Sequence, residues 1–176
     1  MTLLACALLS ACASQSDLST VPEVDIERYS GRWYEIARYP HGFQRQCAGN
    51  VTADYEPQQD GTIRVINRCT TRDGATDETT GTATVVPGSR NTKLKVNFGV
   101  PFITGDYWII GLAPDYSWAI VGHPSRKYLW ILAREPKISD ELYERIISEV
   151  VAKGYDPSRL ERTPQNVRIV PASDRL

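Results

Sequence analysis

The chain has 176 residues, 23% of them charged, 41% hydrophobic and 9% aromatic, with a formal net charge of −1. This length suits one ordinary domain rather than two. The near-neutral balance excludes a nucleic-acid binder working through a basic surface, and the aromatic content excludes a disordered acidic tail. Two His and four Cys leave little material for metal chemistry. There is no Gly-rich phosphate loop, no HExxH and no paired CxxC, so neither a metal nor a cofactor is expected.

At the N-terminus, Leu3 to Leu9 reads LLACALL. That run is far short of the roughly 20 residues a helix needs to cross a bilayer, but it matches the end of a secretory h-region. Leu9-Ser10-Ala11-Cys12 resembles a bacterial lipobox. The resemblance implies a signal peptide over 1–11, lipidation at Cys12 and a polar tether over 12–23. Ala13 and Ser14, rather than Asp, follow the Cys, which in such lipoproteins implies outer-membrane sorting. No Lys or Arg precedes Cys12, although a signal n-region is normally basic; an unusual leader or a start further upstream would account for this. The competing reading, Cys6 and Cys12 in a buried helix, fits poorly with the loose polar stretch that follows. Several acyl chains, at roughly 0.8 kcal/mol per CH₂, would anchor the protein stably.

From Tyr34 the chain reads as short strands separated by turns. Val51, Ala53 and Tyr55 alternate with polar residues, and Pro57 to Gly61 makes a hairpin ending in Asp-Gly. Ile63 and Val65 alternate with Arg64 and Ile66, and Arg72-Asp73-Gly74 turns again. Thr79 to Val86 is a Thr/Val-rich strand ended by Pro87-Gly88, and Leu94, Val96 and Phe98 alternate with Lys93, Lys95 and Asn97. These strands have one apolar and one solvated face. Tyr107 to Leu112, Trp118 to Val121 and Tyr128 to Ala133 are apolar on both faces and need an outer cover. A helix supplies it: Ser139 as N-cap, then Leu142, Tyr143, Ile146, Ile147, Val150 and Val151 as a stripe, with Lys153 and Gly154 at the end. The reading is all-β: an eight-stranded antiparallel up-and-down β-barrel with one C-terminal α-helix packed outside, able to hold one small ligand.

Gly31-Arg32-Trp33-Tyr34 resembles the lipocalin signature G-x-W-[YF]. Pro114-Asp115-Tyr116 occupies the place of the family's T-D-Y-like turn, with Pro for Thr, and Arg134 ends the eighth strand where lipocalins carry an Arg over the Trp. The strings YSGRWYEIARYP, DGTIRVINRC and YLWILAREPKISDE are similar to bacterial outer-membrane lipocalins, relatives of apolipoprotein D. The resemblance spans 24–165 and leaves 166–176 as a tail. It implies a carrier that stores or moves fatty acids or lysophospholipids for membrane maintenance under stress, facing the periplasm from the outer membrane. Gly31, Trp33, Asp115 and Arg134 are expected to be structural. Trp33 can plug one barrel end, and Arg134 can stack on its ring and donate to backbone carbonyls.

Strand parity assigns the cup lining: Val51, Ala53, Tyr55, Ile63, Val65, Leu94, Val96, Phe98 and Trp130, with Tyr107 and Trp118 added. Cys47 and Cys69 flank one hairpin at nearly equal distances from its centre, which places them together and favours a disulfide in an oxidising compartment over a free nucleophilic thiol. His41 and His123 read as loop residues, and Glu35 as a structural carboxylate. The alternatives are a lipocalin-fold enzyme using Glu35 or a Cys, and a pigment or haem binder. The loops Pro40 to Asn50 and Phe98 to Gly105 should share the open rim, where Phe43, Val100, Pro101, Phe102 and Ile103 form an apolar edge for a membrane or a second copy of the chain. A Cys12→Ala variant is expected to move from the membrane to the soluble fraction; unchanged fractionation would contradict the lipid anchor.

Overall fold

The computed structural model describes residues 17–99 and 103–168. Cys12, the expected leader and Val100 to Phe102 lie outside the described residues. Among the described residues the elements are α1 (Ile26–Tyr29), β1 (Gly31–Arg38), β2 (Cys47–Pro57), β3 (Ile63–Thr71), β4 (Thr76–Val85), β5 (Lys93–Asn97), β6 (Gly105–Leu112), β7 (Trp118–Gly122), β8 (Leu129–Ala133), α2 (Asp140–Ala152) and β9 (Glu161–Arg162). No described helix is long and apolar enough to cross a membrane.

β1 to β8 pair antiparallel in chain order, and β1 closes the sheet by pairing with both β8 and β2. The eight-stranded barrel is therefore present. α2 starts where expected: Ser139 caps it by accepting from the Leu142 N–H, and Asp140 and Glu141 lie in its first turn. Tyr143, Ile146 and Val150 are buried against Ile110, Ile120 and Ile131 on the outer face of β6 to β8. This is the cover that two-sided apolar strands require. Val151, expected in the stripe, is exposed, because the helix buries only the narrower face.

Two elements had no expectation. α1 is a single turn in which the Asp25 carboxylate accepts from the Glu27 and Arg28 N–H groups. β9 and the residues after it form a strap. β1 and β2 stay paired only from Gly31↔Tyr55 to Tyr34↔Thr52, and then part. β9 takes the vacated edge of β1, pairing Ala37 with Arg162. Beyond it, the Thr163 N–H donates to the Ile36 carbonyl, the Asn50 N–H donates to the Pro164 carbonyl, and the Gln165 amide bridges the Glu35 and Val51 carbonyls. Gly49 is required beneath the strap, since a Cβ there would lie 2.4 Å from the Pro164 oxygen.

Cys47 and Cys69 are disulfide-bonded, joining β2 to β3 across 22 residues with Cα atoms 5.7 Å apart. The Cys47→Ser/Cys69→Ser variant should lose about 3 kcal/mol of unfolding free energy by the chain-entropy argument. Denaturant unfolding checks this, and an unchanged midpoint would show that the strap and ladder already fix this corner.

Candidate functional site

The lower end of the barrel is shut. Trp33 is fully buried, and its indole N–H donates to the Tyr29 carbonyl at 2.8 Å. The Arg134 guanidinium lies 3.9 Å above the ring and donates to the Arg32 and Arg28 carbonyls at 2.8 and 2.7 Å. Gly31 enters β1 at φ +86°, a conformation that side chains strain. Asp115 orders the β6–β7 turn by accepting from the Ser117 N–H and hydroxyl, which hold its carboxyl below the ordinary range. Tyr116 in that turn accepts from the Asp25 N–H, and Arg28 sits over its ring. The four signature residues thus meet around one floor.

Above Trp33, three phenols converge. Tyr107 Oη lies 2.7 Å from Tyr29 Oη and 2.8 Å from Tyr55 Oη. Burial holds all three hydroxyls protonated, with Tyr55 pushed up to about 12. Three O–H hydrogens serve two contacts, so one donor is uncommitted among the described residues. The wall above is apolar: Ile63, Val65, Ala83, Leu94, Val96, Ile109, Val121 and Leu132 cluster with Tyr55, with Ala53, Tyr107 and Trp130 at its margin. Val51 is buried but belongs to neither core cluster. Phe98 has the inward parity and lies over the side-chain-free Gly81, yet at the rim it stays 42% exposed.

Trp118 is a correction. It pairs with Ala133 and packs in the outer cluster under α2, outside the cup. β7 is apolar on both faces, so composition carries no side information there; the register, with Ala119 and Val121 inward, decides it.

The loops after β1, β3, β5 and β7 gather at the opposite end and form its rim. Of the large hydrophobic side chains exposed among the described residues, Phe43 (67%), Ile103 (65%) and Phe98 lie on this rim. Inside Phe43, an aromatic shelf runs from His41 to Tyr128 and Trp130, with ring centroids 5.4 Å apart for His41–Trp130 and 6.0 Å for the stacked Tyr128–Trp130. Sequence reasoning missed this shelf because its members come from the β1–β2 loop and the distant start of β8; the pattern H-x-F followed by Y-x-W was the available signal. Glu35 is buried and engaged by the Gln44 amide, the Thr163 hydroxyl and Arg38. Burial raises its pKa, and these partners hold it as part of the strap junction rather than presenting it to a substrate.

A closed eight-stranded barrel, plugged at the floor and apolar inside, is the architecture of proteins that hold one small apolar ligand. The Lipocalin-like domain model matches residues 24–165, and the chain belongs to the lipocalin family. It is 41% identical to temperature-induced lipocalin-1 of Arabidopsis thaliana, over 86% of this chain and 85% of that protein. It is 38% identical to the outer membrane lipoprotein Blc of Escherichia coli (strain K12), over 86% and 87%. Among solved structures, insecticyanin from the tobacco hornworm superposes with a TM-score of 0.69 at 20% identity, covering 86% of each chain. That last likeness speaks to the fold alone.

His41 provides a pH test. Burial, followed by the Arg38 charge, outweighs the opposing effect of the Gln44 side chain and lowers the His41 pKa to about 4. The unfolded chain takes up this proton near 6.5, before the folded chain does, so stability falls as pH drops from about 6.5 towards 4. Burial of Glu35 contributes the opposite slope above its ordinary pKa. The midpoint gained by wild type over His41→Gln should therefore grow as pH rises from about 4 to 6.5; parallel curves would contradict the assignment.

Proposed function

We propose that this protein is a non-catalytic carrier that holds one fatty acid or lysophospholipid in its cup, tail down and head group at the rim. The observation that carries the reading is the closed barrel with an apolar interior, with Trp33 and Arg134 at the floor and Val65, Leu94, Val96 and Ile109 above it. Covering a saturated chain there contributes about 25 cal/mol per Å² of apolar surface. The family and the fold support binding of a small hydrophobic ligand.

The similarity to Blc, named an outer membrane lipoprotein, supports the finer reading. In it Cys12 carries the lipid and residues 12–23 lead to the barrel on the periplasmic side of the outer membrane, 24–165 form the carrier domain and 166–176 a tail; the tether expected over 12–23 is shorter, because Leu18 is buried in the outer cluster and the Val21 N–H donates to the Ile109 carbonyl. The apolar rim of Phe43, Phe98 and Ile103 would then work within reach of the bilayer, with a second copy of the chain as the other partner such a rim suits. Membrane maintenance under stress is the physiological role this placement suits.

The enzyme alternative has less support, because Glu35 is fully engaged and Cys47 and Cys69 are bonded to each other. Lipid extracted from protein purified without detergent and identified by mass spectrometry should contain single-chain amphiphiles at close to one per barrel. A haem or pigment chromophore, or turnover of a lipophilic substrate lost in Glu35→Gln, would replace this reading.

A further inference from the structure

Between the parted ends of β1 and β2, the rim holds a depression of about 360 Å³ whose lining includes Arg38, His41, Gln44, Arg45, Arg72 and Glu161. Arg38 is already neutralised, with Glu35 at 3.3 Å and Glu161 at 3.3 Å. Arg45 and Arg72 have no ion pair or hydrogen bond among the described residues. Two like charges lining one depression repel each other, and a guanidinium fork suits a planar or tetrahedral oxyanion better than any other small group.

His41 joins this depression to the cup. It lines the depression and touches the Trp130 ring, which belongs to the barrel interior. The barrel interior offers an anion little. Its inward wall is aliphatic and aromatic, and above the Trp33–Arg134 plug its floor offers one uncommitted phenol O–H. An anionic head pushed down the cup would be stripped of water without a counter-charge. At the rim it would meet two unpartnered cations.

We infer that Arg45 and Arg72 form an anion subsite at the mouth, which selects single-chain lipids with an oxyanion head, carboxylate or phosphate, over neutral ones of equal length. This rests on the proposed lipid-carrier reading and adds the side chains that hold the head group and set its selectivity. The acyl chain passes His41 and Trp130 into the cup, and the head stays between the two guanidiniums.

Hexadecanoate, hexadecyl phosphate and hexadecan-1-ol share one chain length and differ only at the head. Their affinities for the full chain and for Arg45→Gln/Arg72→Gln are measured by displacement of the neutral probe N-phenyl-1-naphthylamine. In wild type, one or both anions should bind more tightly than the alcohol, with the preference shrinking as salt is raised. The double variant should lose roughly 10- to 100-fold of that anion-to-alcohol ratio, as expected for one or two charge-assisted contacts. The anion that loses more identifies the head, carboxylate or phosphate. Near-ultraviolet circular dichroism confirms an intact barrel, and single Arg45→Lys and Arg72→Lys variants retaining part of the preference serve as a second check. An anion-to-alcohol ratio near one in wild type, or one unchanged in the double variant, overturns the subsite while leaving the carrier intact. Failure of all three ligands to displace the probe from wild type overturns the carrier reading itself.

Discussion

A barrel of eight strands is a cup only if one end is closed, and here the closure depends on one stacked pair. Trp33 supplies the volume to fill the end, and its single N–H is satisfied inside the plug. Arg134 lies on the ring and spends its donors on the carbonyls of the chain entering the barrel. That links the last strand to the first at the place where the sheet closes on itself. α1, the Gly31 turn and the Asp115 turn are arranged around this pair and add little interior of their own. With the floor dry, the apolar wall above it becomes a place for a chain that water rejects.

The opposite end is built on the reverse logic. β1 and β2 separate beyond Tyr34 and Thr52, and the gap is held by side-chain contacts and the strap rather than by a ladder. Glu35, Gln44, Arg38 and Gln165 form the polar seam, and the disulfide fixes the start of β2 to β3 nearby. Polar chemistry therefore concentrates where the barrel is least regular. The floor stays conformationally closed, and the rim carries the exposed aromatic and charged groups that face whatever enters.

Much of this was legible in the sequence for a physical reason. Strands with one solvated face announce their parity, so Tyr55, Val65, Leu94 and Val96 could be placed inward before any coordinates. The helix was legible from its cap and period, and the disulfide from symmetric distances to one turn. Trp118 was not, because β7 is apolar on both sides and parity needs a polar face to be read. The strap was not, because two paired residues and a few side-chain bonds leave no periodic trace. The rim cluster of His41, Arg45 and Arg72 was not, because residues scattered over separate loops meet only once the sheet closes.

The central claim of the proposed carrier reading is direction: the acyl chain would lie tail down on the plugged floor, with its head at the rim. Of the four tryptophans, Trp33 lies at the floor and Trp130 near the rim, whereas Trp108 and Trp118 pack in the outer cluster. With Trp108, Trp118 and Trp130 replaced by Phe and the plug residue Trp33 retained as the only tryptophan, quenching by hexadecanoic acids brominated at different positions reads the depth of each carbon. The account predicts that bromine near the methyl end quenches Trp33 most and bromine near the carboxyl end least. Quenching of Trp33 chiefly by bromine near the carboxyl, or equal quenching by every positional isomer, would contradict it.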